Sequence, residues 1–249
     1  MQKINPIIVI PTRLAATRLP NKPLLLINGI PMIIHVVKRA MEADAAPVLV
    51  AAGDQEIIEL LQSYNIEGIL TDPNLPSGTD RINQALNKYD KNAKYNIVIN
   101  LQGDLPTVEK DCIADCLDIL INSPYDIATV GVKLLPNSED IKNTNAVKAI
   151  VDFSAGNIGK ATAFKRSVSD VEAGNCYHHI GIYGYRRESL QKFTSLPPSQ
   201  NEIANKLEQL RALDNDMSIG FKSVNTIPIG VDTASDLEKA SIYLKSIGK

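Results

Sequence analysis

The sequence predicts an α/β fold, in which a mainly parallel, doubly wound sheet is flanked by helices and a smaller, more antiparallel lobe is inserted within it. Three observations carry this expectation. Short apolar runs alternate with segments of helical apolar spacing through Asp104, the pattern of βα units joined by right-handed crossovers. The first run, Ile7 to Ile10, has four apolar residues in succession, as suits a strand buried on both faces. After Leu134 the alternation gives way to β-branched runs around a Gly- and Asn-containing turn, which reads as antiparallel pairing.

Taken in order, Pro11 is expected to end the first strand, because proline cannot donate to a ladder. Arg13, Arg18 and Lys22 follow on a loop punctuated by Pro20 and Pro23, at the carboxyl end of that strand, where open α/β sheets bind ligands. Pro31 to Asp44 opens with proline at a helix start and repeats apolar residues at helical spacing. Pro47 to Gly53 is a second strand, the segment with Ile57, Leu60 and Leu61 on one face a helix, and Gly68 to Asp72 a third strand. A helix through Thr79–Tyr89 and a strand over Asn96–Asp104 complete the first half. Asn145–Phe164 reads as two strands, and in His178–Arg187 alternation puts His179, Gly181, Tyr183 and Tyr185 on one face. The chain is then expected to return to the main sheet at Asn225–Thr233 and to close on a helix from about Ser235 to Ile247.

A chain of 249 residues suffices for one α/β domain, residues 1–249, with a substrate or dimerisation lobe at about 135–200. Hydrophobic content of 44% against 22% charge is that of a soluble globular protein, and the net charge of −2 argues against nucleic-acid binding by bulk electrostatics. Cys112 and Cys116 lie one helical turn apart with no second pair at zinc-finger spacing, so they read as partly buried helix residues in a reducing compartment, while Cys176, isolated beside Tyr177, can be a reactive thiol or, more simply, an inert one. The amino terminus lacks the features of a signal peptide and no apolar run is long enough to span a bilayer, so a cytoplasmic location without membrane insertion is expected.

Several motifs bear chemistry, each with a plainer structural alternative. Asp104 in Leu101–Pro106 can hold Mg²⁺ at the sheet's carboxyl edge or cap the following helix. Asp232 in Pro228–Thr233 can be a second ligand or a cap. Ser77–Arg81 presents free backbone N–H groups at a helix start, or simply caps it. His178 and His179 can form a base or metal pair, although one facing out and one bonded locally is the simpler arrangement. Over Leu207–Leu213, helical spacing makes Leu207, Leu210 and Leu213 a core stripe and leaves Glu208, Gln209 and Arg211 more exposed.

These motifs, in this order, resemble the sugar-acid cytidylyltransferases, and most closely the CMP-Kdo synthetases (3-deoxy-manno-octulosonate cytidylyltransferases). The resemblance spans nearly the whole chain: R-x-x-x-x-R-L-P-x-K-P-L from Arg13, S-G-T-D-R from Ser77, Q-G-D-x-P from Gln102, H-I-G-I-Y-G-Y from His179, L-E-Q-L-R from Leu207 and V-D-T from Val231. It implies a nucleotide-diphospho-sugar transferase-like fold and a homodimer that joins CTP to Kdo for lipopolysaccharide biosynthesis. It further implies catalytic roles for Arg13, Lys22, Asp104 and Asp232, with Mg²⁺ on the two aspartates. CTP contacts would come from Arg13, Arg18, Lys22, Ser77, Gly78, Arg81 and Gln102, and sugar contacts from Arg166, His179, Tyr183, Glu208 and Gln209. Three departures stand out: Leu105 where the family has Glu, Ala51–Asp54 reading A-A-G-D for A-T-D, and Phe164–Gly174, where a Pro-aromatic step and a cation give way to Asp170 and Glu172. The last predicts weaker holding of a sugar carboxylate. It leaves an amino-substituted Kdo or another acidic sugar as the alternative substrate, beside the alternative of a non-catalytic nucleotide-binding relative.

Overall fold

Ile7, Ile8, Val9 and Ile10 are fully buried on a central strand, β1 (Pro6–Thr12), which has a parallel neighbour on either edge and helices packed against it. In the computed structural model, which describes residues 3–15, 18–135, 139–154, 156–169 and 172–249, the chain divides into two units. One comprises Met1–Ile113 with Pro228–Lys249, the other Ala114–Ile227.

In the first unit β1 is followed by a hairpin of β2 (Leu26–Ile27) and β3 (Ile30–Pro31). Its two-residue turn, Asn28–Gly29, has φ of 52° and 83°, the left-handed pair that Asn-Gly supplies most cheaply. Then come α1 (Met32–Glu42), β4 (Val48–Ala52), α2 (Gln55–Ser63), β5 (Gly68–Leu70), α3 (Gly78–Tyr89) and β6 (Ile97–Asn100). The strand order is β5-β4-β1-β6, all parallel, as the βα alternation predicts.

Pro11 does not end β1: it pairs with Ala51 of β4, and the strand runs on to Thr12. Val9 faces β6, accepting from Leu101 N–H, and Thr12 faces β4, accepting from Gly53 N–H. Pro11, two residues beyond Val9, therefore turns its missing donor toward β6, whose last pairing is Asn100 with Val9. No ladder bond is lost.

The helix α4 (Lys110–Asn122) contains the division between the units. The second unit continues through β7 (Ile127–Lys133), α5 (Glu139–Lys142), β8 (Lys148–Asp152), β9 (Gly159–Lys165), β10 (Cys176–Arg186), α6 (Arg187–Ser195), α7 (Gln200–Asn205), α8 (Leu210–Asp214) and β11 (Ile219–Ser223). Only the β11–β7 pairing is parallel. The long β10 bonds to β7 along one side and to β8 through Cys176–His178, and β8–β9–β11 returns to β7, so the five strands close into a ring. Asp126 ties the entry of β7 to that of β11 by accepting from the backbone N–H and hydroxyl of Ser218, bonds that bring its pKa below the ordinary value despite burial.

The return to the first unit is not a strand. Pro228–Asp232 runs extended beside residues 104–107, joined by Val231 N–H to Asp104 O at 2.9 Å and Ile229 N–H to Thr107 Oγ1 at 2.6 Å. The helix α9 (Ala234–Ser246) then packs Ala240 and Leu244 against Ile27, Met32 and Val231. Cys112, Cys116 and Cys176 are buried and none is in a disulfide.

Phe221 anchors the second unit, fully buried with its ring 5.1 Å from Tyr177 and 6.3 Å from Phe153, both edge-on. Phe221→Ala is expected to cost about 3–5 kcal/mol, seen as a lower urea midpoint at unchanged slope. A loss below about 1 kcal/mol would show that the pocket collapses around the smaller side chain.

Candidate functional site

At the carboxyl end of β1 the first unit holds a cavity of about 330 Å³, lined among others by Arg13, Lys22, Ser77, Gly78, Arg81, Gln102 and Asp104. Seven of the residues singled out from sequence thus share one crevice. Close backbone approach makes it possible. A Cβ on Gly103 would stand 2.7 Å from Pro11 O, so only glycine lets the turn carrying Asp104 lie against the end of β1. Gly78 likewise sits near the Pro11 ring and Gln102 Oε1, and a Cβ on Gly53 would meet Arg81 Nη1 at 2.7 Å and Arg13 Cβ at 3.1 Å.

Neither aspartate lies on a strand or caps a helix. Asp104 follows β6 by four residues, and the cap of α9 is Thr233, which forms a reciprocal capping box with Asp236. The Asp232 carboxylate is therefore left for the crevice. Asp104 Oδ2 lies 2.9 Å and Asp232 Oδ1 3.1 Å from the same Lys22 ammonium, and Arg18 Nη2 lies 2.9 Å from Asp232 Oδ2. Burial lowers the Lys22 pKa, but the two carboxylates more than offset it and the net shift is upward. Lys22 reaches this position from a 3₁₀ turn, Lys22–Leu24, entered through Asn21 in the left-handed region.

The other cations divide into exposed and structural. Arg13 is exposed at the mouth, on a loop ordered by Leu14 N–H bonding Asp54 Oδ2 at 2.7 Å, so the Asp of A-A-G-D serves backbone placement. Arg81 is buried, bonded to Thr71 Oγ1 and the carbonyls of Asp72 and Pro73; burial, with Arg13 adding, lowers its pKa. Ser77 is the cap of α3, accepting from Asp80 N–H and donating to Asp80 Oδ2. Gln102 gives its amide to Asn100 Oδ1 at 3.1 Å.

In the second unit, the alternation read in β10 survives an irregularity. Between Ile180 and Tyr183 the strand advances three residues while β7 advances one, and because both steps are odd the facing is preserved. The rings of His179, Tyr183 and Tyr185 accordingly run in a row at 5.4 and 6.2 Å, with Phe164 edge-on to His179 at 5.0 Å. His179 is bonded to Thr129 Oγ1, whereas His178 approaches Asp140 at 3.4 Å, so the two are not a metal or base pair. Burial, with His178 adding, pushes the His179 pKa down to about 3; burial pushes the Tyr183 phenol well up, with Tyr185 and Glu208 adding.

The Leu207–Leu213 reading is corrected. The helix α7 stops at Asn205, Lys206 takes φ 54°, and α8 begins only at Leu210, so Glu208 and Gln209 lie in a turn. Gln209 and Arg211 are buried, and Leu210 and Leu213 are half-buried. Arg211 is drawn in by Glu202, at 2.8 and 2.6 Å, and lies over the Phe193 ring, while Glu208 Oε1 is 3.9 Å from Arg211 Nη2. Arg166 spends its guanidinium on the carbonyls of Asn205, Thr144 and Lys206, which fixes the entry to that turn. Asp170 lies outside the described residues, and Glu172 starts a 3₁₀ turn, Glu172–Asn175. Sequence reasoning missed Thr129 and Thr107, whose only signal is an isolated hydroxyl in an apolar setting.

Two outcomes follow from this geometry. Gly103→Ala is expected to displace the Asp104 turn and cost about 1–3 kcal/mol on urea unfolding; no change would mean the turn gives way freely. His179 is protonated near 6.5 when unfolded but only near 3 when folded, so between these values the unfolded chain binds more protons and stability rises with pH. His179→Gln is therefore expected to flatten the acid-side decline by about 1.4 kcal/mol per pH unit in urea titrations, and an unchanged slope would contradict a neutral buried ring.

A family model described as Cytidylyltransferase matches residues 7–219. A relative from Paramagnetospirillum magneticum, named 3-deoxy-manno-octulosonate cytidylyltransferase, is 44% identical over 247 residues, covering 99% of this chain and 100% of its own. One of the same name from Parvibaculum lavamentivorans is 46% identical over 240 residues, covering 96% and 93%. Among solved structures, one described as CMP:2-keto-3-deoxy-manno-octonic acid synthetase complexed with CTP superposes with a TM-score of 0.88 at 32% identity, covering 98% of this chain and 99% of the other.

Proposed function

This chain belongs to the cytidylyltransferase family, and on that premise we propose that it couples CTP to 3-deoxy-manno-octulosonate (Kdo), giving CMP-Kdo and pyrophosphate for lipopolysaccharide biosynthesis. The observation that carries the reading is the crevice in which Arg13, Lys22, Gln102 and Asp104 line one cavity while Asp232 shares the Lys22 ammonium. No helix among the described residues is long and apolar enough to cross a membrane, and we place the reaction in the cytoplasm with its nucleotide.

The sugar's anomeric hydroxyl attacks the α-phosphorus in line with the departing pyrophosphate, so positioning and charge neutralisation dominate. Arg13 and Arg18, both largely exposed, take the charge of the outer phosphates, and the backbone around Ser77 and Gly78 lets the nucleoside approach closely. Lys22 holds Asp104 and Asp232 together and presents a cation beside them. His179 is too weakly basic to remove the hydroxyl proton, and we read it as a sugar contact and not as a base.

The donor set fits Mg²⁺. Asp104 and Asp232 offer hard oxygens that converge on one cationic centre, and no cluster of three or more His, Cys, Asp or Glu exists among the described residues. Two carboxylates completed by substrate phosphates is how this ion is commonly held. When bound it supplies charge neutralisation at the α-phosphate and the leaving group.

Pyrophosphate release from CTP across a panel of sugar acids tests the proposal. Release with Kdo is expected; release only with an amino-substituted Kdo would replace the acceptor, and none with any acid would overturn the activity. Arg13→Ala is expected to weaken CTP binding about tenfold and to leave CMP nearly unchanged in calorimetry, whereas equal losses would place Arg13 away from the outer phosphates. Asp104→Asn and Asp232→Asn should each lower turnover by roughly 10²–10³ in a folded protein. Near-normal rates would remove the aspartates from the chemistry.

A further inference from the structure

Thr129 lies fully buried on β7, and its hydroxyl faces three groups: His179 Nε2 at 3.0 Å, Ile182 O at 2.7 Å and Ile180 O at 3.3 Å. A hydroxyl carries one proton, and two of these neighbours are carbonyls, which only accept. The contact to Ile182 O is the shortest of the three and takes the proton, and Oγ1 turns a lone pair to the imidazole. The bond to the ring then requires a proton on Nε2. Since burial keeps the ring uncharged, Nδ1 is the bare nitrogen.

The irregularity in β10 is what creates this arrangement. Gly181 and Ile182 are the two residues without partners in the β7 register, and the carbonyls of Ile180 and Ile182 turn to the Thr129 hydroxyl. Other contacts fix the residue as well: the backbone N–H of His179 bonds Val147 O at 2.9 Å, and against the imidazole the Phe164 ring stands at 75° and the Tyr183 ring at 49°.

We propose that Thr129 is a positioning residue that fixes His179 in the Nε2–H tautomer, so that His179 offers Nδ1 as a hydrogen-bond acceptor and recognises a hydroxyl of the acceptor sugar, not its carboxylate. This rests on the reading of His179 as a sugar contact. A bare ring nitrogen repels a carboxylate, which has no proton to give, and accepts from an alcohol. Selection by a hydrogen bond of this kind discriminates strongly against an analogue lacking the hydroxyl, because the buried acceptor is then left unpaired.

Long-range ¹H–¹⁵N spectra of the histidines in the ligand-free protein test the tautomer directly, without reference to any sugar. Protonated Nε2 and bare Nδ1 are expected for His179 in the wild-type chain and in Thr129→Ser, with loss of the single tautomer in Thr129→Val. A charged ring or protonated Nδ1 in the wild type would overturn the proposal even if the valine variant failed to fold. In steady-state kinetics Thr129→Val should raise the Kdo KM about tenfold with the CTP KM nearly unmoved, and Thr129→Ser should restore most of it. The valine penalty should vanish for the deoxy-Kdo that lacks the hydroxyl held by Nδ1. A penalty that vanishes only for the carboxamide analogue would put the carboxylate on the ring and overturn the proposal. The expected tautomer with an unmoved Kdo KM in both variants would instead show that His179 does not face the sugar, which fails the underlying reading and leaves the tautomer standing.

Discussion

Two carboxylates far apart in the chain are held beside one ammonium, and the first unit is organised around that constraint. Asp104 and Asp232 repel each other, so they stay together only where a cation separates them. Lys22 supplies it from a partly buried position, and Arg18 adds a second cation from the solvent side. The backbone enforces the same arrangement independently. Val231 and Ile229 bond to Asp104 and Thr107, and α9 buries Ala240 and Leu244 in the cluster that contains Ile27 and Met32. Charge and packing thus specify one geometry. A lone lysine between two acids is also poised to be shared with an incoming triphosphate, which links the fold of this unit to the chemistry proposed for it.

The second unit solves a different problem, the burial of polar side chains. Lys148 is fully buried and donates to the carbonyls of Asn143 and Arg166, Arg211 is paired with Glu202, and Lys222 sits between Asp115 and Asp118. Each is costly unless satisfied, and each ties together neighbouring elements of the unit. Lys148 to Arg166 to the carbonyls of Asn205 and Lys206 is one continuous path. It ends where Glu208 and Gln209 begin. Polar burial therefore sets the position of the turn that the family resemblance marks for the sugar.

Much of this was legible in the chain because it follows from period and punctuation. The buried run at Ile7–Ile10 and the βα alternation each have a local physical cause. The facing of His179, Tyr183 and Tyr185 was legible too, although only because the extra residues in β10 come as a pair; a single bulged residue would have reversed it. What could not be read depended on partners distant in sequence. Pro11 continues β1 because β6 leaves the sheet early. Gln209 and Arg211 are buried because Glu202 and Phe193 draw the guanidinium inward and Lys206 breaks the helix. The protein partners of Arg166, Arg81 and Ser77 could not be read either: the guanidiniums bond backbone carbonyls and Thr71, and the Ser77 hydroxyl caps α3, bonds that fix these side chains in place.

The coupling of Lys22 to the carboxylate pair holds the site together, and a double-mutant cycle in unfolding free energy, with Lys22→Met, Asp104→Asn and the double variant, measures it most directly. Both partners are partly solvated, so a favourable interaction of about 1 kcal/mol is expected, with the double variant less destabilised than the sum of the single ones. Strict additivity, within about 0.3 kcal/mol, would contradict the account by showing that Lys22 does not hold the carboxylates together.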